Sequence, residues 1–200
     1  MNPSVLIIGC GALAWELAEL RRLNDWSHVT LRCLPAGLHN HPERIAPALR
    51  AAIEKGRGEF EHIFVAYADC GTGGALDRLL AEYGIERLPG AHCYEFYAGS
   101  SEFHALADAE PGTFYLTDFL VRHFDRLVRN GLGLDRHPEL MQSYFGNYRR
   151  LVYLSQSEDP SLEKQARAHA AYLGLEYQQH RCGFGPFNRA VSERIVQWRS

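Results

Sequence analysis

The chain has 200 residues, 46% of them hydrophobic and 22% charged, with a formal net charge of −3. That is the balance of a soluble globular protein long enough to bury one sizeable core. It offers no basic footprint for nucleic acid, and no run approaches the roughly 20 apolar residues of a membrane span.

The first residues, MNPSVLIIGCGAL, enter a strand pattern at once and lack the basic stretch of a signal peptide, so the cytoplasm is the expected location. Ser4 to Ile8 reads as a short buried strand. A helix follows with Leu13, Leu17 and Leu20 at helical spacing. HVTLRCLP alternates, with Val29, Leu31 and Cys33 on one face of a second strand. LHNHPERIAPALRAAIEKG gives a loop and then a helix from about Pro42, with Glu43 in its first turn and Gly56 just past its end. HIFVAYAD is a third strand, and GALDRLLAEYG a short helix stopped by Gly84.

IERLPG reads as a weak fourth strand. HCYEFYAGSSEFHALAD and TDFLVRHFDRLVRNGLG read as helices, the second capped by Thr117. Between them, EPGTFYLTDF places Gly112 in a turn before an aromatic stretch that belongs to the core. YRRLVYLSQ is a fifth strand, DPSLEKQARAHAAYLG a helix entered through Pro160, LEYQQHRCG a sixth strand, and FNRAVSERIVQW a closing helix. The alternation of strand and helix predicts a single α/β domain over residues 1–200. Its sheet is mostly parallel and Rossmann-like, with helices on both faces.

Ligands of such sheets bind outside the carboxyl ends of the strands. Strand one ends at Cys10, strand two leads to His39 and His41, strand three ends at Asp69 and Cys70, and strand four leads to His92 and Cys93. Five cysteines at wide spacing, an odd number, argue against a disulfide framework and leave these thiols free for other work.

Three chemistries suit that edge. A metal site, most simply zinc, takes His39, Cys70 and Cys93, with Cys10, His41 or His92 as alternates, because thiolate and imidazole are its preferred donors. No CxxC pair occurs, so the pattern is not a zinc finger or ribbon. A catalytic Cys70 nucleophile takes its activation from a glycine-rich turn into a helix, with His39 or His92 as base. A nucleotide or phosphate site takes Gly9, Gly11, Gly71 and Gly73. For that third chemistry Ala14 stands where a dinucleotide loop has its third glycine, and CGTGG lacks the Lys and Ser or Thr of a P-loop. Against all three stands plain packing, with Cys10 and Cys33 as small buried hydrophobes and the glycines as tight turns. His62, His104, His123 and His169 read as surface or capping groups.

LIIGCGAL, LPAGLHNHPERI, VAYADCGTGG, PGAHCYEF, PGTFYLTDF, GLGLDRHPEL and YFGNYRRLVYL together resemble the DUF1638 family, from Val5 to Gly183. The resemblance picks out His39, Cys70, Gly71, Gly73 and Cys93. Some members have an acid between the His and the Cys that are adjacent here as His92 and Cys93. Because such genes lie beside corrinoid proteins and trimethylamine-type or betaine-type methyltransferases, the resemblance implies a role in methyl-group or one-carbon metabolism. The chain would act there as a zinc-dependent methyltransferase or as an accessory to one. A small molecule or a corrinoid protein would be the partner, and corrinoid would reach this chain only through that partner. A metal-free cysteine enzyme and a non-catalytic cofactor-handling protein are the alternatives.

Overall fold

The structure is a computed structural model that describes residues 4–196. Gln197 and Trp198, the last residues of the helix expected at the tail, lie outside the described residues. The chain gathers into two compact units: one runs to Cys93 and resumes at Phe187, and the other is Tyr94–Pro186.

The first unit is built on β1 (Val5–Cys10), β2 (Val29–Leu34) and β3 (His62–Ala66), all parallel in the order β2-β1-β3. Val5 to Ile8 are all buried, which is why β1 reads as an unbroken apolar run: a central parallel strand is covered on both faces. The glycines show how. A Cβ on Gly9 would meet Leu17 of α1 (Ala14–Leu23) at 2.6 Å, and one on Gly56 of α2 (Ile45–Gly56) would meet Leu6 at 2.5 Å. Gly9 and Leu6 point to opposite faces of β1, so α1 and α2 cover opposite faces. Gly56 therefore closes α2 from inside the helix rather than lying past its end; its missing side chain lets α2 settle on β1. α3 (Ala75–Tyr83) ends at Gly84 in the left-handed conformation, φ +62°, as a C-terminal glycine does.

The weak fourth strand becomes a single bridge, Val65 to Arg87, beside β3. Val65 N donates to Glu86 O and Leu88 N to Val65 O, each at 3.1 Å, and Pro89, which has no N–H, interrupts the ladder there. This segment occupies the outer edge of β3, so the later strands pair elsewhere.

They form the sheet of the second unit: β4 (Thr113–Thr117), β5 (Arg150–Ser155) and β6 (Glu176–Arg181), parallel in the order β4-β5-β6. β4 is the aromatic stretch expected in the core, and it is a strand. Its Leu116, with Leu151 and Tyr153 of β5, packs against Leu162, Ala166, Ala170 and Leu173 of α8 (Pro160–Leu173). On the other face Tyr115 meets Tyr94 of α4 (Tyr94–Ala98) and Phe103 of α5 (Ser100–Ala109), ring centroids 5.4 and 5.3 Å away. One expected helix is split into α4 and α5 by Gly99 at φ +83°. The next is α6 (Asp118–Arg122), capped by Thr117 Oγ1 accepting from Leu120 N as expected, followed by a π-helical turn over Asp125–Arg129. α7 (Leu140–Phe145) and α9 (Gly185–Val196) complete the helices described. The result is an α/β fold with all strands parallel, arranged as two sheets of three. No described helix is long and apolar enough to cross a membrane.

Candidate functional site

Parallel pairing of β1 with β3, Gly9 opposite Ala66, brings the carboxyl ends of both strands to one edge of the first sheet. β1 ends there at Cys10. Beyond β3, Asp69 and Cys70 bond the backbone of the neighbouring segment. Asp69 N donates to Gly90 O at 3.1 Å and Cys70 N to Ala91 O at 2.9 Å. That pairing delivers Cys93 beside Cys70.

Cys70 adopts φ +50°, left-handed backbone that is uncommon outside glycine, and Gly71, Gly73 and Gly74 follow at +81°, +60° and +76°. No residue with a side chain would hold this run of positive φ values cheaply, which accounts for CGTGG as a turn. A Cβ on Gly71 would stand 3.5 Å from Pro42, so the loop leaving β2 lies against the turn.

Inside the turn the Asp69 carboxylate takes the donors. Thr72 Oγ1 donates to Oδ1 at 2.7 Å, Gly74 N to Oδ1 at 2.9 Å and Gly73 N to Oδ2 at 3.2 Å. Burial pulls the Asp69 acid up, but the bonds from Thr72, Gly74 and Gly73 win and hold it below the usual carboxylate range. Amides that an incoming phosphate would use already serve Asp69. Nor does the first glycine turn open onto a ligand: a Cβ on Gly11 would meet Leu34 O at 2.8 Å and Ala36 N at 3.1 Å. Packing of β1's outlet against that of β2 is enough to require Gly11.

Cys70 and Cys93 are both buried, 6% and 9% exposed, and bonded to each other. The Cys93 S–H donates to the Cys70 sulfur and lowers the Cys70 pKa below the ordinary thiol value, against burial and the Asp69 charge. The same bond, with burial, pushes Cys93 well up. When the pair loses a proton, the proton that stays is therefore the one on Cys93 and the charge sits on Cys70. Cys10 is near enough for its charge to act on both, and burial raises it to about 11. The hydroxyl of Tyr67, buried and without a partner of ordinary hydrogen-bond geometry, faces the Cys10 thiol. Cys33, on β2, is exposed.

His39, in the turn Ala36–Asn40 after β2, is grouped instead with His92: burial, then the charge of His92, lowers its pKa. Cys70 and Cys93 thus meet, while among the described residues no three His, Cys, Asp or Glu side chains gather at metal-binding spacing. Of the expected trio, Cys70 and Cys93 come together, and His39 stands with His92. Sequence reasoning missed Tyr67, the service of Asp69 to its own turn, and Arg87, whose fork of bonds holds the segment that carries Cys93.

Residues 33–191 match the family model described as "Protein of unknown function (DUF1638)". That span holds His39, Cys70 and Cys93 but begins after Cys10. No curated protein and no solved structure matches the chain.

Proposed function

The chain belongs to the DUF1638 family, and from that premise we propose that it is a thiol-dependent protein whose working group is the Cys70 thiolate, with Cys93 as its proton-holding partner. The observation that carries this reading is the buried Cys70 at a left-handed turn on the sheet edge, its amide bonded to Ala91 O so that Cys93 comes beside it. A thiolate is a soft nucleophile, and it is present near neutral pH only where its surroundings lower its pKa. With 6% of its surface exposed, Cys70 suits a small electrophile. In the attack the Cys70 sulfur supplies the electron pair of a new S–C bond, and the leaving group departs with the pair of the bond that breaks. The association of this family with corrinoid methyltransferases makes an activated methyl group the first such electrophile to test. A corrinoid protein or its methyltransferase is the partner that would present it.

A second reading keeps zinc, on a different donor set. Cys10 stands within charge range of Cys70 and Cys93, so the donors available to a soft metal are three thiols rather than two thiols and His39. Structural rearrangement would have to close that set.

One experiment separates the readings. Protein purified without chelator is assayed for bound metal, then treated with iodoacetamide near neutral pH, with peptide mapping of each cysteine. The thiol reading expects Cys70 to label about tenfold faster than exposed Cys33, without metal, and Cys70→Ser to remove that fast phase. About one metal per chain, lost in Cys70→Ser and Cys10→Ser alike, moves the working role to the metal. Cys70 labelling no faster than Cys33, with no metal present, overturns both.

A further inference from the structure

We propose that Arg87 is the positioning residue of the Cys70–Cys93 pair: its guanidinium locks the segment that delivers Cys93 onto α3 and sets a fixed positive charge beside the Cys70 turn. The inference rests on the thiol reading above and names a residue that neither the strand-end pattern nor the family resemblance marks.

The geometry is a fork. Arg87 Nε donates to Asp77 Oδ1 at 2.6 Å and Nη2 to Asp77 Oδ2 at 2.9 Å, a two-point grip on the first turn of α3. Nη1 donates to Leu88 O at 2.7 Å and to Gly90 O at 3.2 Å. Four of the five guanidinium N–H donors are thereby committed, all to protein groups. Only 15% of the Arg87 side chain is exposed, against 57% for Asp77, so the cation is the inner member of the pair.

The second bond from Nη1 matters most. Gly90 O also accepts from Asp69 N at 3.1 Å, and the next carbonyl, Ala91 O, accepts from Cys70 N at 2.9 Å. Arg87 therefore braces the backbone against which the Cys70 turn is hung, and Cys93 lies two residues further on. Loosening residues 88–91 therefore loosens the backbone that carries Cys93, side chain and amide alike, to the Cys70 sulfur.

Charge works in the same direction. Among the groups acting on the Cys70 sulfur are the Cys93 thiol, the backbone of Cys93 and Ala68, the Asp69 carboxylate, Cys10, Tyr67 and the Arg87 cation. Asp69 opposes a second negative charge next to it in the chain. Arg87 is drawn to both Asp69 and Cys70, so it offsets that opposition. A lysine keeps the charge but not the fork, since three donors on one nitrogen cannot hold both Asp77 oxygens and two carbonyls. A glutamine keeps neither.

The test is the rate of Cys70 alkylation by iodoacetamide in the full chain, from about pH 5 to about pH 10, for wild type, Arg87→Lys and Arg87→Gln, with Cys33 as internal standard. We expect the midpoint of the Cys70 profile to rise in Arg87→Gln by about one pH unit, a tenfold slower rate near neutral pH, with Arg87→Lys between it and wild type. The Cys33 profile stays fixed. Should Arg87→Gln fail to fold, the Arg87→Lys profile decides alone. Variant profiles that superimpose on wild type overturn the role of Arg87 and leave the thiol pair standing, whatever their melting temperatures. A wild-type Cys70 that labels no faster than Cys33 overturns the thiol reading, and the role of Arg87 falls with it.

Discussion

Cys70 holds a left-handed backbone that costs a non-glycine residue about 1–2 kcal/mol, and the neighbours that fix it there also set its chemistry. The thiols of this molecule differ in sign. Cys70 is lowered by the Cys93 bond, so its contribution to stability is present above the unfolded thiol pKa and lost as pH falls through its folded value. Cys93 is raised by its bond to Cys70 and by burial. Burial likewise raises Cys10 to about 11 and, with the Asp118 charge, Cys182 to about 12. Between the unfolded pKa and these folded values the unfolded chain has released protons that the native chain keeps, so stability falls as pH rises. Burial raises Cys33 as well, so four raised thiols stand against one lowered. Urea denaturation should therefore show a midpoint that drops between about pH 8 and about pH 10, with about 1 kcal/mol of the loss due to Cys10. Cys10→Ala should flatten that slope by the same amount; a slope unchanged in the variant removes Cys10 from the account. Of this chemistry the sequence displayed the donors and not their partners. Cys70 and Cys93 were legible because each follows a strand, whereas Arg87 acts through a reach across α3 and a loop, which no spacing encodes.

Elements were legible where periodicity and length agreed, and blurred where the chain uses one side chain or one glycine to overrule a pattern. The run Val5 to Ile8 is too apolar to be anything but a covered strand, and it is one. FYLT at Phe114 to Thr117 has the same character but follows Pro111 and Gly112 so closely that the pattern shows core and not the strand. IERLPG carries the β pattern for too few residues before Pro89, which is why the expected fourth strand shrinks to a bridge. GCG is open to a phosphate loop or a tight turn; the close approach at Gly11 is to the Leu34 carbonyl and the Ala36 amide. Both neighbours are backbone and cannot swing away, unlike the Leu17 methyl that faces Gly9. Gly11→Ala should accordingly destabilise the fold by about 1–3 kcal/mol, the range of overpacking, with the pH profile of Cys70 labelling unchanged. Thermal or urea unfolding reads the first quantity. A neutral Gly11→Ala would mean that the turn has room, and would revive a ligand as the reason for glycine there.

Across the whole molecule, two parallel sheets each carry their own core, and the thiol chemistry belongs to only one. The groups named here that bind or charge the Cys70 sulfur lie between Cys10 and Cys93, inside the first unit. The second unit has its own strand-end acid, Asp118, but that carboxylate is spent on structure: Tyr153 Oη donates to it at 2.7 Å, Gln156 N at 3.0 Å and Ser157 N at 3.1 Å, with the Ser157 hydroxyl besides. An acid with so many donors fastens β4 to the outlet of β5 and has little capacity left for a substrate. A core substitution in the second unit separates stability from chemistry. Leu151→Ala removes a fully buried side chain from the cluster around Leu116, Tyr153 and Leu162 and should cost about 2–5 kcal/mol in unfolding free energy. Well below its lowered melting temperature, the Cys70 labelling rate and its pH midpoint should match wild type, because no partner of Cys70 has been touched. A midpoint displaced by Leu151→Ala would mean that the second core sets the thiol's environment, and the boundary drawn at Cys93 would no longer enclose the site.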